Sequence, residues 1–249
     1  VITTLVEFSG KTGPNKGGAQ GRVTLVQFRD GEFYGTTERF GDIPATIFKV
    51  TTDGVFTTLV EFAEGENPLA TLVQGSDGDF YGATSGRDEF DGTILNHGTI
   101  FRMTPAGVLT ILLEFTGTVG PNLGSSPEAA LVQGSDGNFY GTTPYGGADN
   151  QGTIFRMTPE GVLTTLFEFG RNDNGSQPYA ALVQGKDGDF YGTTYLGGLG
   201  YGTAFKITSV GELTTLVQFT GVGGLNIGSA GNAALVLGSD GNFYGTTPV

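Results

Sequence analysis

The chain has 249 residues, of which 45 are glycine, 19 phenylalanine and none cysteine, and it carries a formal net charge of −13 with only 12 lysines and arginines. Without a basic patch to neutralise phosphates, the composition argues against nucleic acid and anionic membrane surfaces as partners. The absence of cysteine excludes disulfides, thiolate metal sites and cysteine nucleophiles, and no stretch approaches the ~20 apolar residues of a membrane span.

Taken in chain order, residues 1–8 read as a lone β-strand followed by a Gly-rich loop. A longer unit then begins, in which a strand runs into Asp30-Gly31 and on into Phe33-Tyr34-Gly35. That core returns at Phe80-Tyr81-Gly82, Phe139-Tyr140-Gly141, Phe190-Tyr191-Gly192 and Phe243-Tyr244-Gly245, roughly 50 residues apart each time. The clearest copy spans 129–169. It parses into strands at 129–134, 139–143, 152–158 and 162–169, joined by Ser135-Asp136-Gly137-Asn138, a Gly-rich loop and Pro159-Glu160-Gly161. Asp-Gly and Pro-Glu-Gly are short hairpin connectors in which glycine accepts positive φ. Segments rich in Val, Thr, Phe and Ile between such turns are strands, and no apolar pattern of helical period persists.

Four antiparallel strands repeated about five times predict an all-β, five-bladed β-propeller forming one domain over residues 1–249. Complete blades are expected at 22–62, 69–115, 129–169 and 181–219. The closing blade is expected to combine an outer strand from 1–8 with inner strands at 233–238 and 243–247, and it lacks a third strand. A longer parent chain, a three-stranded blade and a strand supplied by another chain are all compatible with that gap. No signal-peptide pattern opens the sequence, so any secretion signal or anchor is expected outside this segment.

The two half-motifs, Ala-Leu-Val-Gln-Gly-Ser-Asp-Gly-Asn-Phe-Tyr-Gly-Thr-Thr (residues 130–143) and Gly-Thr-Ile-Phe-Arg-Met-Thr-Pro-x-Gly-x-Leu-Thr-Thr-Leu-x-Glu-Phe (152–169), resemble the GloVer tandem repeat over nearly the whole chain. More distantly they are similar to the blades of NHL and virginiamycin lyase propellers. The resemblance implies a bacterial secreted or surface-displayed protein and no particular activity, since a fold does not supply one.

Strand parity separates two faces. Connectors between first and second strands and between third and fourth strands are short and constant, whereas the remaining loops and the blade-to-blade crossovers are long and varied. Recognition belongs on the varied face. There Asn15, Asn122 and Asn226 recur in Gly-rich crossovers, with Asn174 in another, and Tyr145, Tyr179, Tyr195 and Tyr201 lie nearby. Asparagine both donates and accepts, and tyrosine offers a flat apolar face, a combination that suits a sugar ring. The competing reading has each asparagine shaping its own loop.

Other recurring groups fit structure better than chemistry. The turn aspartates Asp30, Asp77, Asp136, Asp187 and Asp240 sit one per hairpin, too few to cage a cation. Glu7, Glu61, Glu114 and Glu168 share a position with Gln218, which has no acid-base capacity. Lys49, Arg102, Arg156 and Lys206 recur as expected of surface contacts. The one departure is the loop before the single histidine, where Asp88, Glu89, Asp91 and His97 match no metal spacing. The sequence therefore points to a non-enzymatic, extracellular binding module without metal or other cofactor, with carbohydrate as the leading ligand. A self-associating structural protein that completes its open blade with a partner strand, and a lyase or lactonase of the NHL-like type, are the alternatives.

Overall fold

The computed structural model describes residues 4, 6–13, 15–17, 23–86, 96–170, 174–229 and 233–247. Among these there is no helix, and the strands form five antiparallel sheets in strict chain order. The first contains β1 (Val23–Gln27), β2 (Phe33–Thr37), β3 (Thr46–Val50) and β4 (Phe56–Glu61). The second contains β5 (Val73–Gln74), β6 (Phe80–Ser85), β7 (Gly98–Met103) and β8 (Leu109–Glu114). The third holds β9 (Val132–Gln133), β10 (Phe139–Thr143), β11 (Thr153–Met157) and β12 (Leu163–Glu168). The fourth holds β13 (Val183–Gln184), β14 (Phe190–Thr194), β15 (Thr203–Ile207) and β16 (Leu213–Gln218). The fifth is only β17 (Val236–Leu237) and β18 (Phe243–Tyr244).

The Asp-Gly turn is a side-chain-locked hairpin. In the third sheet the Gly137 N–H donates to Gly134 O at 2.9 Å and the Gly134 N–H to Asn138 O at 2.8 Å. Asp136 accepts from the Asn138 N–H at 3.1 Å and from the Tyr140 hydroxyl at 2.9 Å. The same Tyr-to-Asp bond recurs in all five sheets, at 2.7–2.9 Å. The five aspartates are thus occupied with turn chemistry, as their spacing suggested.

The glycine of Phe-Tyr-Gly has a different role. A Cβ at Gly141 would lie 2.4 Å from Phe155 Cζ on the facing strand and 2.9 Å from Leu131 Cδ2. Gly35, Gly82 and Gly192 meet Phe48, Phe101 and Phe205 in the same way. The tip of each phenylalanine ring occupies the space a side chain would take at the glycine, which lets the facing strands pack closely.

Neighbouring sheets are joined by rings and by one polar clip. Tyr34 meets Phe80 with centroids 4.5 Å apart, Tyr81 meets Phe139 at 4.0 Å, Tyr140 meets Phe190 at 3.9 Å and Tyr191 meets Phe243 at 4.0 Å. The glutamine ending an inner strand accepts a backbone N–H from the turn of the preceding sheet, Gln74 from Arg29, Gln133 from Ser76 and Gln184 from Ser135. The buried core lies largely at these junctions, as in the cluster that runs from Tyr81 and Ile100 to Phe139 and Phe155. The arrangement is propeller-like.

Two expectations are met only in part. Inner strands predicted at six residues pair over two in the second to fifth sheets, whereas β1 pairs over five. Before β13, Ala180 O instead accepts from Thr142 Oγ1 of the neighbouring sheet at 3.1 Å. The fifth sheet has two strands, and the described residues 6–9 form no strand within it. Phe8 instead packs edge-on against Phe48 and Phe56 of the first sheet.

Candidate binding site

The starts of four inner strands converge on one cavity of about 350 Å³. Leu69 and Thr71 precede β5, Glu128 and Ala130 precede β9, Tyr179 and Ala181 precede β13, and Ala234 precedes β17, and all of them line it. Because its wall takes one element from each of four successive sheets, the cavity marks the axis around which those sheets are arranged. Alanines at Ala129, Ala130, Ala181 and Ala234 keep it wide, and Glu128 and Tyr179 are its large polar side chains.

Tyr179, which lines this cavity, is the centre of an aromatic group, and Tyr145 lines a separate cavity with His97 and Ser125. The Tyr179 hydroxyl meets that of Tyr145 at 2.5 Å, and the two rings stand at 89° with centroids 6.1 Å apart. On its other side Tyr195 stands at 86° and 5.9 Å. Edge-to-face rings in series are mutually favourable and present their open faces in different directions. Tyr179 is half-buried, whereas Tyr195 is 45% exposed. Burial first, then the Tyr145 hydrogen bond and the nearby negative charge of Glu128, push the Tyr179 hydroxyl above the ordinary phenol range, so it stays protonated.

All three tyrosines come from loops of the varied face. Tyr145 follows β10, Tyr179 ends the crossover into β13, and Tyr195 follows β14. Their positions are fixed by backbone pairing between loops, the Ser125 N–H donating to Tyr145 O at 2.8 Å and the Tyr195 N–H to Gln177 O at 3.0 Å. Tyr201 stands apart. Its ring covers Gly221, where a Cβ would come within 2.5 Å, and it borders a shallow groove with Val222 and Ile227.

The asparagines hold loops. Asn15, Asn122 and Asn226 each donate Nδ2 to the carbonyl eight residues earlier, Glu7 at 2.9 Å, Glu114 at 3.0 Å and Gln218 at 3.1 Å. Asn174 accepts from Thr215 Oγ1 at 3.3 Å. None of the four lines the axial cavity. The structure therefore gathers three of the eight candidate residues and disperses the rest.

The repeated charges also have local partners. Lys49 pairs with Glu32 at 2.6 Å, Arg102 with Asp79 at 2.5 Å, and Lys206 with Asp187 and Asp189 at 3.0 and 2.5 Å. Glu61 takes Lys16 at 2.7 Å, and Glu168 accepts the Ala148 N–H at 2.7 Å. His97 hydrogen-bonds Ser125 Oγ at 3.1 Å and lays its ring on Gly117 as Tyr201 does on Gly221. Asp88, Glu89 and Asp91 lie outside the described residues. Among the described residues no three His, Asp or Glu side chains gather as metal ligands would.

Sequence reasoning passed over Glu128, yet a signal for it exists. The copies read Pro68-Leu69-Ala70-Thr71-Leu72-Val73-Gln74, Pro127-Glu128-Ala129-Ala130-Leu131-Val132-Gln133 and Pro178-Tyr179-Ala180-Ala181-Leu182-Val183-Gln184. One position changes from Leu to Glu to Tyr while its neighbours hold, and that position faces the cavity. In the first and last copies it falls on Arg22 and Asn232, outside the described residues.

The fold has relatives of known structure. A luciferin-regenerating enzyme superposes with a TM-score of 0.58 at 12% identity, over 90% of this chain and 68% of that one. TolB from Acinetobacter baumannii gives 0.53 at 16% identity, over 90% of this chain and 53% of that one, so this chain spans about half of TolB. At such identities the likeness concerns the fold alone. No curated protein matches by sequence. The Gloeobacter/Verrucomicrobia repeat matches residues 95–249, more than half of the length and covering the third, fourth and fifth sheets entire, and the chain belongs to that repeat family.

Proposed function

We infer that the protein is a non-enzymatic binding module, secreted or displayed on a bacterial surface, which takes a carbohydrate at the mouth of its axial cavity. The five sheets are read as blades of one propeller domain over residues 1–249. The observation that carries this reading is the perpendicular series Tyr145, Tyr179 and Tyr195 beside a cavity whose rim holds Glu128. A pyranose ring has an apolar face of C–H groups and an equatorial girdle of hydroxyls. An exposed tyrosine ring suits the first, and a carboxylate with phenolic hydroxyls suits the second. The scaffold beneath is rigid, and the loops that carry the tyrosines are pinned to one another by backbone bonds, so little order is lost on binding. Surface placement rests on the kinship of the repeat.

The test is a glycan array over several polysaccharide classes, followed by calorimetry on any hit. The wild-type protein is expected to retain a defined oligosaccharide class. Tyr179→Ala is expected to weaken it roughly tenfold or more, while Asn226→Ala, which loosens a crossover that pins none of the three tyrosines, leaves the affinity unchanged. An array without binding, or equal affinity for Tyr179→Ala, contradicts the proposal.

A further inference from the structure

A second cavity, of about 340 Å³, lies on the same varied face. His97 ahead of β7, Thr118 and Ser125 in the crossover to β9, and Tyr145 and Asn150 in the loop after β10 line it. The two cavities are linked by one hydrogen bond. Tyr179 lines the axial cavity, Tyr145 lines this one, and their hydroxyls are 2.5 Å apart.

The repeat does not require the side chains that line it. The Ser125 N–H donates to Tyr145 O at 2.8 Å, as the Ser176 N–H donates to Leu196 O at 2.8 Å, so leucine serves that backbone pairing as well as tyrosine. His97 holds the place ahead of a third strand that Pro44, Gln151 and Tyr201 hold in the other copies. Its ring rests on Gly117 as that of Tyr201 rests on Gly221, so the packing alone calls for a ring and not for an imidazole. What His97 and Tyr145 add is hydrogen-bonding capacity. Ser125 Oγ meets His97 Nδ1 at 3.1 Å and orients the imidazole, while Nε2 bonds nothing among the described residues. Asn150 Oδ1 accepts the Gly146 N–H at 2.8 Å, and its Nδ2 donates to nothing among the described residues. Of the two phenol protons one lies between the oxygens, which leaves the other to donate elsewhere. These groups are held at one end and open at the other, so little order is lost when a ligand takes them.

We propose that this cavity is a second sugar subsite and that the ligand is an oligosaccharide, with one unit at the axial mouth and the next beside His97, across the Tyr145–Tyr179 pair. The inference rests on the carbohydrate reading of the axial cavity. Both cavities lie at the lower end of the roughly 300–1,000 Å³ that small ligands occupy, so each suits one ring rather than a chain. Two such places joined through one pair of phenols suit two linked rings. The second unit, tethered by the first, gains affinity from few contacts. His97 and Asn150 then read its hydroxyls.

His97 is the single histidine of the chain, so protein carrying isotope-labelled histidine has one imidazole to observe by NMR. It is titrated with the mono-, di- and trisaccharides of the glucose, galactose, mannose and xylose series, and the affinities are measured by calorimetry. In the series that binds, the disaccharide is expected to shift the His97 signals and to bind roughly tenfold more tightly than the monosaccharide. His97→Phe, which retains a ring on Gly117, is expected to abolish that gain, and Tyr179→Ala to weaken both lengths. His97 signals unmoved at saturating disaccharide, equal affinity for one unit and two, or a gain that His97→Phe retains overturns the second subsite. The axial reading then stands if Tyr179→Ala still weakens the monosaccharide. Disaccharide binding that shifts His97 yet survives Tyr179→Ala undiminished overturns the axial reading, and the shared ligand with it. Absence of binding in every series overturns both.

Discussion

Tyr140 and Asp136 illustrate how a single repeated pair governs stability. The phenol donates to a carboxylate at the edge of the core, and Tyr140→Phe removes that bond while preserving the ring stack on Phe190. A loss of roughly 1 kcal/mol is expected by denaturant unfolding at neutral pH. The pair also sets how stability varies with pH. Burial raises the Asp136 pKa, but hydrogen bonds from Asn138 and Tyr140 outweigh it and hold the carboxylate below its ordinary range. Asp187 is lowered by Tyr191 and Lys206, and Asp240 by Tyr244 and Asn242. Below about pH 4 the unfolded chain takes up protons that the folded one resists, so stability present above that pH is lost as pH falls. Tyr140 is pushed up to about 12 by burial first and then by Asp136. The unfolded chain ionises near pH 10, so this contribution is full below ~10 and declines as pH rises toward 12. Ultraviolet titration should show Tyr140, with Tyr34, Tyr81 and Tyr179, ionising after the exposed tyrosines, and Tyr140→Phe should shrink that late component by one tyrosine. The Asp-Gly turn was legible from sequence because it is local. Its tie to the tyrosine four residues on was not, because that contact depends on the second strand turning its ring back over the hairpin.

Within an element, close approach matters more than propensity. Gly141 has ordinary extended geometry, so a Ramachandran argument would permit alanine, yet its Cβ would overlap Phe155. Gly141→Ala is expected to cost about 1–3 kcal/mol, and Phe155→Leu added to it should recover part of that loss. A double-mutant cycle by chemical denaturation measures the coupling. Each third strand also shifts register against its outer strand at one place, between Ile47 and Phe48, Ile100 and Phe101, Ile154 and Phe155, and Ala204 and Phe205. The extra residues, Leu59, Leu112 and Leu166, receive the turn glycines Gly107, Gly161 and Gly211 of the next sheet. The alternation in Leu-Thr-Thr-Leu gives no sign of such a bulge, since its purpose is a contact with another blade. Strand order and hairpins followed from local signals, whereas the bulges and the short inner strands answer to neighbours distant in sequence.

At the scale of the whole molecule, the most constant residues build junctions, and the least constant positions face the axis. Tyr-Phe stacks and glutamine clips recur with little change, while the residue after each crossover proline is Leu69, then Glu128, then Tyr179. That contrast is why the varied face could be named from strand parity alone while the site could not. Loops of unequal length bring Tyr145, Tyr179 and Tyr195 together and leave Tyr201 on Gly221, a difference that only three-dimensional pairing sets. The asparagines seemed equally suited to sugar hydroxyls, but their amides are spent on carbonyls within their own loops. A tandem repeat thus supplies a uniform frame, and in the proposed function a ligand is distinguished by the few places where copies differ. The most direct measurement is a crystal structure of the protein with an oligosaccharide identified on the array. The account predicts sugar density against the rings of Tyr179 and Tyr195, with a hydroxyl within hydrogen-bonding distance of Glu128. Density elsewhere, with the axial mouth empty, would contradict it.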